Sequence, residues 1–325
     1  MSVVVLKPGL LTTLQDRGRH GHAALGVGAA GPMDEVAFRL ANALVGNADA
    51  AAAIEISLLG PRLRFEAPTL IAFTGAEFDV RINQMSAPGW RPLHVAAGSV
   101  LEFGPARCGA RAYLAVAGGF AAQSVLGSMA TDVNARLGPL GGRPLQAGDV
   151  IAFPVARATN VPEPRECPPT WSLDPRPWFD ADPAHPIRLI RGPHCDTLDE
   201  ASLAALFTQE FRIGIDSNRV GYRLDGTRLM LAAPLELVSE AVAFGSVQLP
   251  PGGQPIVLMA EHPTTGGYPR IGQVAAVDLP RLAQRQAGDR VRFREIGVDE
   301  AQTRYLSRER ELARVIDTIA MRLAQ

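Results

Sequence analysis

The sequence predicts a mainly β protein in two domains, and three observations carry that prediction. From Ala53 to Phe153, short apolar runs with period-two or continuous character stand between Gly and Pro. Leu63-Arg64-Phe65, Thr69-Leu70-Ile71-Ala72-Phe73 and Arg111-Ala112-Tyr113-Leu114-Ala115-Val116 are bounded by Gly60-Pro61, Gly75, Gly104-Pro105 and Gly118-Gly119. Such runs read as antiparallel strands of a sandwich or barrel, because the long helical crossovers of a parallel sheet are missing. Second, nine prolines crowd Pro154 to Pro186 with little apolar periodicity, which suits an extended connector. Third, Gln146-Ala147-Gly148-Asp149-Val150-Ile151-Ala152-Phe153 is echoed by Gln286-Ala287-Gly288-Asp289-Arg290-Val291-Arg292-Phe293. Two domains of one architecture, each ending in a Gly-Asp turn and a last strand, follow from that echo. The predicted division is a first domain over 1–160, a connector over 161–186, a second domain over 187–298 and a helical extension over 299–325.

Composition narrows the function. The chain has 325 residues, 47% of them hydrophobic, which suffices for a sizeable core. A formal charge of −1 provides no basic field for nucleic acid or an anionic membrane. Lys7 is the only lysine, and it sits in Leu-Lys-Pro, so neither a P-loop nor a biotin-carrying lysine is present. Cys108, Cys167 and Cys195 are widely spaced and odd in number, against a zinc ribbon or a disulfide framework. A reduced, cytoplasmic setting is expected, with no membrane span and no signal peptide.

Taken in order, Ser2 to Lys7 reads as a first strand, and Gly9 to Gly21 as a polar loop. That loop sets Gln15, Asp16, Arg17 and Arg19 between glycines, a grouping able to hold a carboxylate or amide or to form internal ion pairs. His20 and His22 lack a third ligand at a recognisable spacing, so no metal site is expected. Gly26-Val27-Gly28-Ala29-Ala30-Gly31 has the letters of a dinucleotide fingerprint, but no β-branched strand precedes it and Pro32 follows at once. It reads as the approach to a helix with Pro32 in its first turn and Met33, Val36, Ala37, Leu40, Ala41 and Leu44 on one face. In the second half, Ile187 to Arg191 predicts a strand, and Thr197-Leu198-Asp199-Glu200 a capping box opening a helix that buries Leu198, Ala201, Ala205 and Leu206. From Glu300 onward, Tyr305, Leu312, Val315, Ile316, Ile319 and Leu323 form a helical stripe, docked on the body or on another protomer.

Ser239 to Arg270 concentrates the chemistry. Two short apolar runs lie between loops rich in Gly and Pro that carry Glu240, Gln248, Glu261, His262, Thr264, Thr265 and Tyr268. Loops on a rigid sheet collect binding groups because their backbones need not serve the core. The same pattern also describes two strands joined by a Pro-Gly turn.

Several of these motifs together resemble the biotin-dependent carboxyltransferase family, also called allophanate hydrolase subunit 2. They are Gln15-Asp16-Arg17-Gly18-Arg19, Gly31-Pro32-Met33-Asp34, Ala41 to Asn47, Glu55-Ile56, Thr74 to Phe78, Arg111 to Gly119, Arg219-Val220-Gly221-Tyr222-Arg223-Leu224 and the stretch through Thr265-Gly266-Gly267-Tyr268-Pro269. The resemblance runs from about residue 3 to about residue 295. It implies two cyclophilin-like β-barrel domains, a few helices and a C-terminal helix. It further implies work as the C component of a bacterial ATP-dependent 5-oxoprolinase, beside a B component of the allophanate hydrolase subunit 1 type and a large A component, with ATP reaching the reaction through the complex. Two alternatives follow from the same resemblance: a carboxyltransferase component receiving carboxybiotin in trans and passing the carboxyl to a urea-like acceptor, or a non-catalytic regulatory partner of a B-component relative. A homo-oligomer is a further possibility. The chain departs from the family pattern at Asn218, Val220, Ala241 and Phe244, where Asp, Met, Gly and Pro are frequent.

Opening an amide or carboxylating a ureido group needs donors on a carbonyl oxygen, a base for an N–H or water, and a cation for a carboxylate. Arg219, Tyr222, Arg223, Glu240, Gln248 and Tyr268 are the expected catalytic residues, with Glu261 a second candidate base. Gln15, Asp16, Arg17, Asn42, Glu55, Thr264 and Thr265 are the expected substrate contacts.

Overall fold

A computed structural model describes residues 1–154 and 171–324. The chain divides into two compact units, one formed by Met1–Arg19, Ala30–Asp180 and Glu311–Gln325, the other by His20–Ala29 and Ala181–Arg310. Of the predicted connector, Pro162, Pro164, Pro168 and Pro169, with Cys167, lie outside the described residues.

The first unit contains β1 (Ser2–Lys7), β2 (Leu11–Gln15), α1 (Glu35–Leu44), β3 (Ala53–Ser57), β4 (Arg62–Phe65), β5 (Thr69–Ile82), β6 (Met85–Ser86), β7 (Leu93–Val95), β8 (Val100–Val116), the short α2 (Pro139–Gly142) and β9 (Val150–Ala152). Its nine strands form one sheet with the order β2-β3-β8-β4-β1-β9, and β5 pairs with β6, β7 and β8. The long β5 and β8 run antiparallel, with register shifts between Gly75 and Val80. Gly75 has φ +93°, and a Cβ there would lie 2.4 Å from the Arg111 carbonyl oxygen, so glycine is what lets the strands bend at that bulge. The C-terminal half of β8 is buried on both faces, which explains its continuous apolar run. Ala112, Leu114 and Val116 join a cluster with Val3, Ile54, Phe65 and Phe103, while Tyr113 and Ala115 pack with α1.

Asp34 caps α1, accepting from the Ala37 N–H at 2.9 Å. The helix therefore begins at Glu35, and Pro32, expected in the first turn, precedes the cap. Its buried face carries Val36, Leu40, Ala41 and Leu44, against which Leu312 and Ile319 of the C-terminal helix pack. The apolar stripe of that helix docks in cis.

The second unit contains β10 (Ile187–Arg191), α3 (Glu200–Thr208), β11 (Glu210–Ile213), β12 (Gly221–Asp225), β13 (Glu240–Ala241), β14 (Ser246–Gln248), β15 (Ile256–Leu258), β16 (Thr265–Gly266), β17 (Arg270–Val274), α4 (Leu279–Ala283), β18 (Arg290–Glu295) and the first part of α5 (Val298–Leu323). Seven strands close a barrel in the order β10-β17-β14-β15-β12-β11-β18. The closing pair, β10 with β18, is parallel, unlike the antiparallel pairs that short-range patterning predicts. Ile187, Leu189, Phe211, Leu224, Val247, Val257, Ile271, Val291 and Phe293 are buried, and β18 alternates strictly between exposed and buried through Phe293. Asp199, not Thr197, caps α3, accepting from the Ser202 N–H at 2.7 Å. Thr197 instead turns its hydroxyl to the His194 carbonyl, and Ala201 is exposed where Ser202 is buried. Tyr305 lies off the α5 stripe, 36% exposed, with the Arg308 guanidinium over its ring.

The echoed octapeptides fold alike. In each, the Asp carboxylate accepts from the Gln N–H three residues earlier, at 2.7 Å for Asp149 and 2.8 Å for Asp289. Gly148 and Gly288 both have φ +91°. The Asp149 carbonyl accepts from Val5 N–H and the Asp289 carbonyl from Ile213 N–H, each at 2.9 Å.

Candidate functional site

In the first unit, most of the expected substrate contacts are engaged with the protein's own groups. Gln15 donates to Thr13 Oγ1 and to the Thr131 carbonyl. The Asp16 carboxylate accepts from Ser128 Oγ at 2.5 Å, Met129 N–H at 2.6 Å and Gly18 N–H at 2.9 Å. Arg19 reaches the Ala130 carbonyl. Of the loop expected over Gly9–Gly21, Leu11–Gln15 instead form strand β2, and the turn that follows is stitched to residues 128–131. Arg17 is half exposed and pairs with Glu35 at 2.7 Å. Asn42 bridges the Ala51 carbonyl and Asn47, which in turn reaches the Val116 carbonyl and the Gly118 N–H.

Glu55 is 1% exposed, and its carboxylate accepts from Tyr113 Oη at 2.7 Å and Met33 N–H at 2.9 Å, with Arg111 Nε 3.9 Å away. The Tyr113 oxygen in turn accepts from Asp34 N–H. Burial, together with the charges of Glu55 and Asp34, holds the Tyr113 phenol well above its ordinary pKa, so it remains a neutral donor to the carboxylate.

In the second unit the expected catalytic residues separate. Tyr222 is buried, its hydroxyl 3.3 Å from the Arg285 carbonyl, whereas Arg223, the next residue of β12, is exposed. Arg219 and Glu261, each 3% exposed at the side chain, form an ion pair at 2.6 Å. Tyr268 is 46% exposed and lines a groove of about 570 Å³ with Leu229, Met230, Leu249, Pro250 and Pro269.

Gln248 and Glu240 belong to a compact arrangement. Ser246, Val247 and Gln248 alternate along β14, so Gln248 faces away from the side on which Val247 enters the core. Arg270 stands directly opposite Gln248 on β17. Over them lies the two-stranded ribbon of β13 and β16, in which Glu240 pairs with Gly266 and Ala241 with Thr265. Arg270 Nη2 contacts Glu240 Oε2 at 2.5 Å. A Cβ at Gly266 would fall 2.4 Å from Gln248 Nε2. Gln248, 4% exposed, has no acceptor for that amide nitrogen, and the buried Nε of Arg270 has none either. Thr264 closes the ribbon's end, its carbonyl accepting from Val242 N–H, while Thr265 is exposed. Ala241 takes extended backbone angles within β13, so alanine is accommodated there.

Arg270 and Gly266 are the residues that sequence reasoning missed. Arg270 ends the Ser239–Arg270 stretch, but its pairing with Gln248 depends on a register shift between Val247 and Gln248 that no short-range pattern reveals. Among the described residues, no group of three or more His, Cys, Asp or Glu is arranged to hold a metal ion, and no helix is long and apolar enough to cross a membrane.

A seven-stranded barrel bearing this ribbon, and a nine-stranded sheet capped by α1, define the class: the chain belongs to the carboxyltransferase domain family, subdomain A and B, matched over residues 25–295. Among its relatives, the 5-oxoprolinase C subunit of Escherichia coli is 36% identical over 320 residues, 98% of each chain. The protein of that name from Haemophilus influenzae is 36% identical over 289 residues, 89% of each chain. Among solved structures, the urea amidolyase of K. lactis superposes with a TM-score of 0.85 at 29% identity, covering 98% of this chain and 20% of that one.

Proposed function

We propose that this chain is the C component of a bacterial, cytoplasmic ATP-dependent 5-oxoprolinase, working with a large A component and a B component to open the lactam of 5-oxoproline to glutamate. The observation that carries the proposal is the co-extensive 36% identity with the Escherichia coli C subunit, over 98% of both chains. The urea amidolyase contains the same fold as one fifth of a larger protein.

The arrangement on the second unit suits an amide substrate. The Gln248 amide N–H is a buried donor with no acceptor, the kind of group that polarises a carbonyl in a site shielded from water. Glu240 is the carboxylate that takes a proton from attacking water in this reading: both acids are ion-paired, but Glu240 is solvent-exposed beside Arg270 whereas Glu261 is buried with Arg219. Tyr268 and Arg223 are exposed donors for the substrate or for a partner's groups. Arg219 and Tyr222 position the strands beneath, and Thr264 and Thr265 hold the ribbon. In the first unit Arg17 is the accessible candidate contact, whereas Gln15, Asp16, Asn42 and Glu55 are engaged with the protein's own groups. ATP enters through the complex, not through a cofactor covalently held by this chain.

ATP-dependent hydrolysis of 5-oxoproline by the chain mixed with its A and B partners, against each omission, tests this reading. Glutamate formation that needs this chain supports it, and full activity without this chain overturns it. Carboxyl transfer from carboxybiotin to urea is the second reading, favoured by membership of the carboxyltransferase family, and the same preparations assayed with those substrates decide between the two.

A further inference from the structure

We infer that Gln248, Gly266, Arg270 and Glu240 form a covered subsite for a small cyclic amide bearing a carboxylate, with Glu240 occupying the place that the ligand's carboxylate takes. The inference rests on the lactam substrate proposed above and goes beyond it by assigning which groups read the ligand.

The four residues close a circuit. Gln248 stands opposite Arg270 on neighbouring barrel strands, Arg270 holds Glu240, Glu240 stands opposite Gly266 on the ribbon, and Gly266 rests on the Gln248 amide. Two features of this circuit are unsatisfied. The Gln248 Nε2 and Arg270 Nε hydrogens are buried without acceptors, and buried donors in folded proteins are nearly always paired. Both belong to side chains on the same face of adjacent strands, about 5 Å apart at their Cβ atoms by ordinary sheet geometry. A carboxylate placed on Arg270 satisfies Nε and Nη2 together, because the guanidinium edge is a planar fork matched to two oxygens. A ring carbonyl beside it then meets Gln248 Nε2. 5-Oxoproline carries these two acceptors on either side of its ring nitrogen, whereas urea has only the carbonyl.

The cover is built to yield. Its two strands are two residues each, and Glu240, Ala241 and Thr265 are exposed. A ribbon of that size has little stability of its own. Glycine at 266 lets it lie against Gln248 in this arrangement, since a Cβ there would fall 2.4 Å from the amide nitrogen and push the Gln248 side chain aside. The Glu240–Arg270 ion pair is then the latch. A ligand carboxylate that displaces Glu240 from Arg270 also lifts the ribbon from Gln248 and leaves the Glu240 carboxylate free beside the substrate.

The test is equilibrium binding to the full chain by titration calorimetry, with 5-oxoproline, 2-pyrrolidinone and urea as probes. 5-Oxoproline is expected to bind at least about tenfold more tightly than 2-pyrrolidinone, the same lactam without a carboxylate. Arg270→Gln should abolish that preference, and Glu240→Gln should tighten 5-oxoproline binding several-fold by removing the competing carboxylate. Gln248→Leu should weaken both lactams without lowering the unfolding midpoint, because it removes no hydrogen bond of its amide nitrogen. A structural glutamine predicts a lower midpoint instead. Hydrogen exchange provides a second readout: Glu240→Gln should speed exchange of the Val242 amide while leaving strand β12 protected. Equal binding of the two lactams, no binding of either, or a preference that survives Arg270→Gln overturns the subsite. Lactam binding that follows these rules in a chain that supports no 5-oxoproline hydrolysis would sink the 5-oxoprolinase reading and leave the subsite standing.

Discussion

Removing the Asp278 carboxylate tests how the barrel of the second unit is held. Asp278 is fully buried, and its two oxygens accept four hydrogen bonds: from Arg188 N–H at 2.7 Å, Arg188 Nε at 2.9 Å, Arg188 Nη2 at 2.6 Å and Arg281 Nη1 at 3.1 Å. Asp278→Ala strands one backbone donor and a guanidinium whose side chain keeps 18% exposure. Breaking a buried pair by deleting one partner costs about 3–5 kcal/mol, and the residual exposure of Arg188 points to the lower end, about 3 kcal/mol. With a urea slope of about 2 kcal/mol/M, the midpoint of barrel unfolding should fall by about 1.5 M at unchanged slope. Burial pushes the Asp278 carboxyl up, but the Arg188 hydrogen bonds, with the charges of Arg188 and Arg281, outweigh it and hold the carboxyl below its ordinary range. Its stabilisation is therefore complete above the unfolded value of about 3.9 and is lost as pH falls through the lower folded value. Urea denaturation of both proteins at neutral pH and near pH 3, followed by circular dichroism, measures this. A neutral-pH midpoint shift below about 0.5 M, or a difference that does not shrink in acid, would refute the account.

Leu312→Ala, at a fully buried position against α1, should destabilise the first unit by about 2–5 kcal/mol, while Leu306→Ala, at a 52% exposed position on the same helix, should stay within about 0.5; tryptophan fluorescence in a denaturant series compares them. Gly148→Ala and Gly288→Ala should each cost about 1–2 kcal/mol through backbone conformation alone, because both have φ +91° and open space where the Cβ would go; unequal thermal shifts, once scaled to each unit, would break the equivalence of the two turns. The Tyr113 phenol, raised by burial and by Glu55 and Asp34, should contribute stability up to the ordinary tyrosine range near about pH 10 and lose it only above. An alkaline absorbance titration of Tyr113→Phe should then match that of the parent through that range, and a smaller tyrosinate amplitude in the variant would count against it.

Most of the architecture was legible because it is written in local patterns. The period-two run around Leu63, the continuous runs around Ile71 and Leu114, the helical spacing from Val36 to Leu44, and the Leu312 to Leu323 stripe all report burial within a few residues of themselves. Closure of the barrel was not legible, since β10 and β18 pair in parallel across a hundred residues of chain. The caps were placed imperfectly because Thr197 and Asp199 are both good capping residues, and tertiary packing chose the second. In the candidate site, Gln248 and Glu240 stood out by residue type. Arg270 did not, because its meaning lies in a cross-strand partner displaced by a bulge. Gln15 and Asp16 looked like a ligand cradle from sequence because Thr13 and Gly18 satisfy them only in part, and their remaining partners at Ser128, Met129 and Thr131 lie more than a hundred residues on.

The interleaving of the two units in sequence bears on how the chain is made. Residues 311 to 323 of α5 belong with the sheet whose first strand is Ser2–Lys7, whereas the seven barrel strands all lie between Ile187 and Glu295. During synthesis the barrel strands are therefore complete before the last helical turns that cover α1 have been added. The unit begun first is finished last, and in the interval the α1 face that receives Leu312 and Ile319 is bare. Until those turns are added, the α1 face that they cover remains an apolar surface of the kind that chaperones bind and that the mature protein no longer presents.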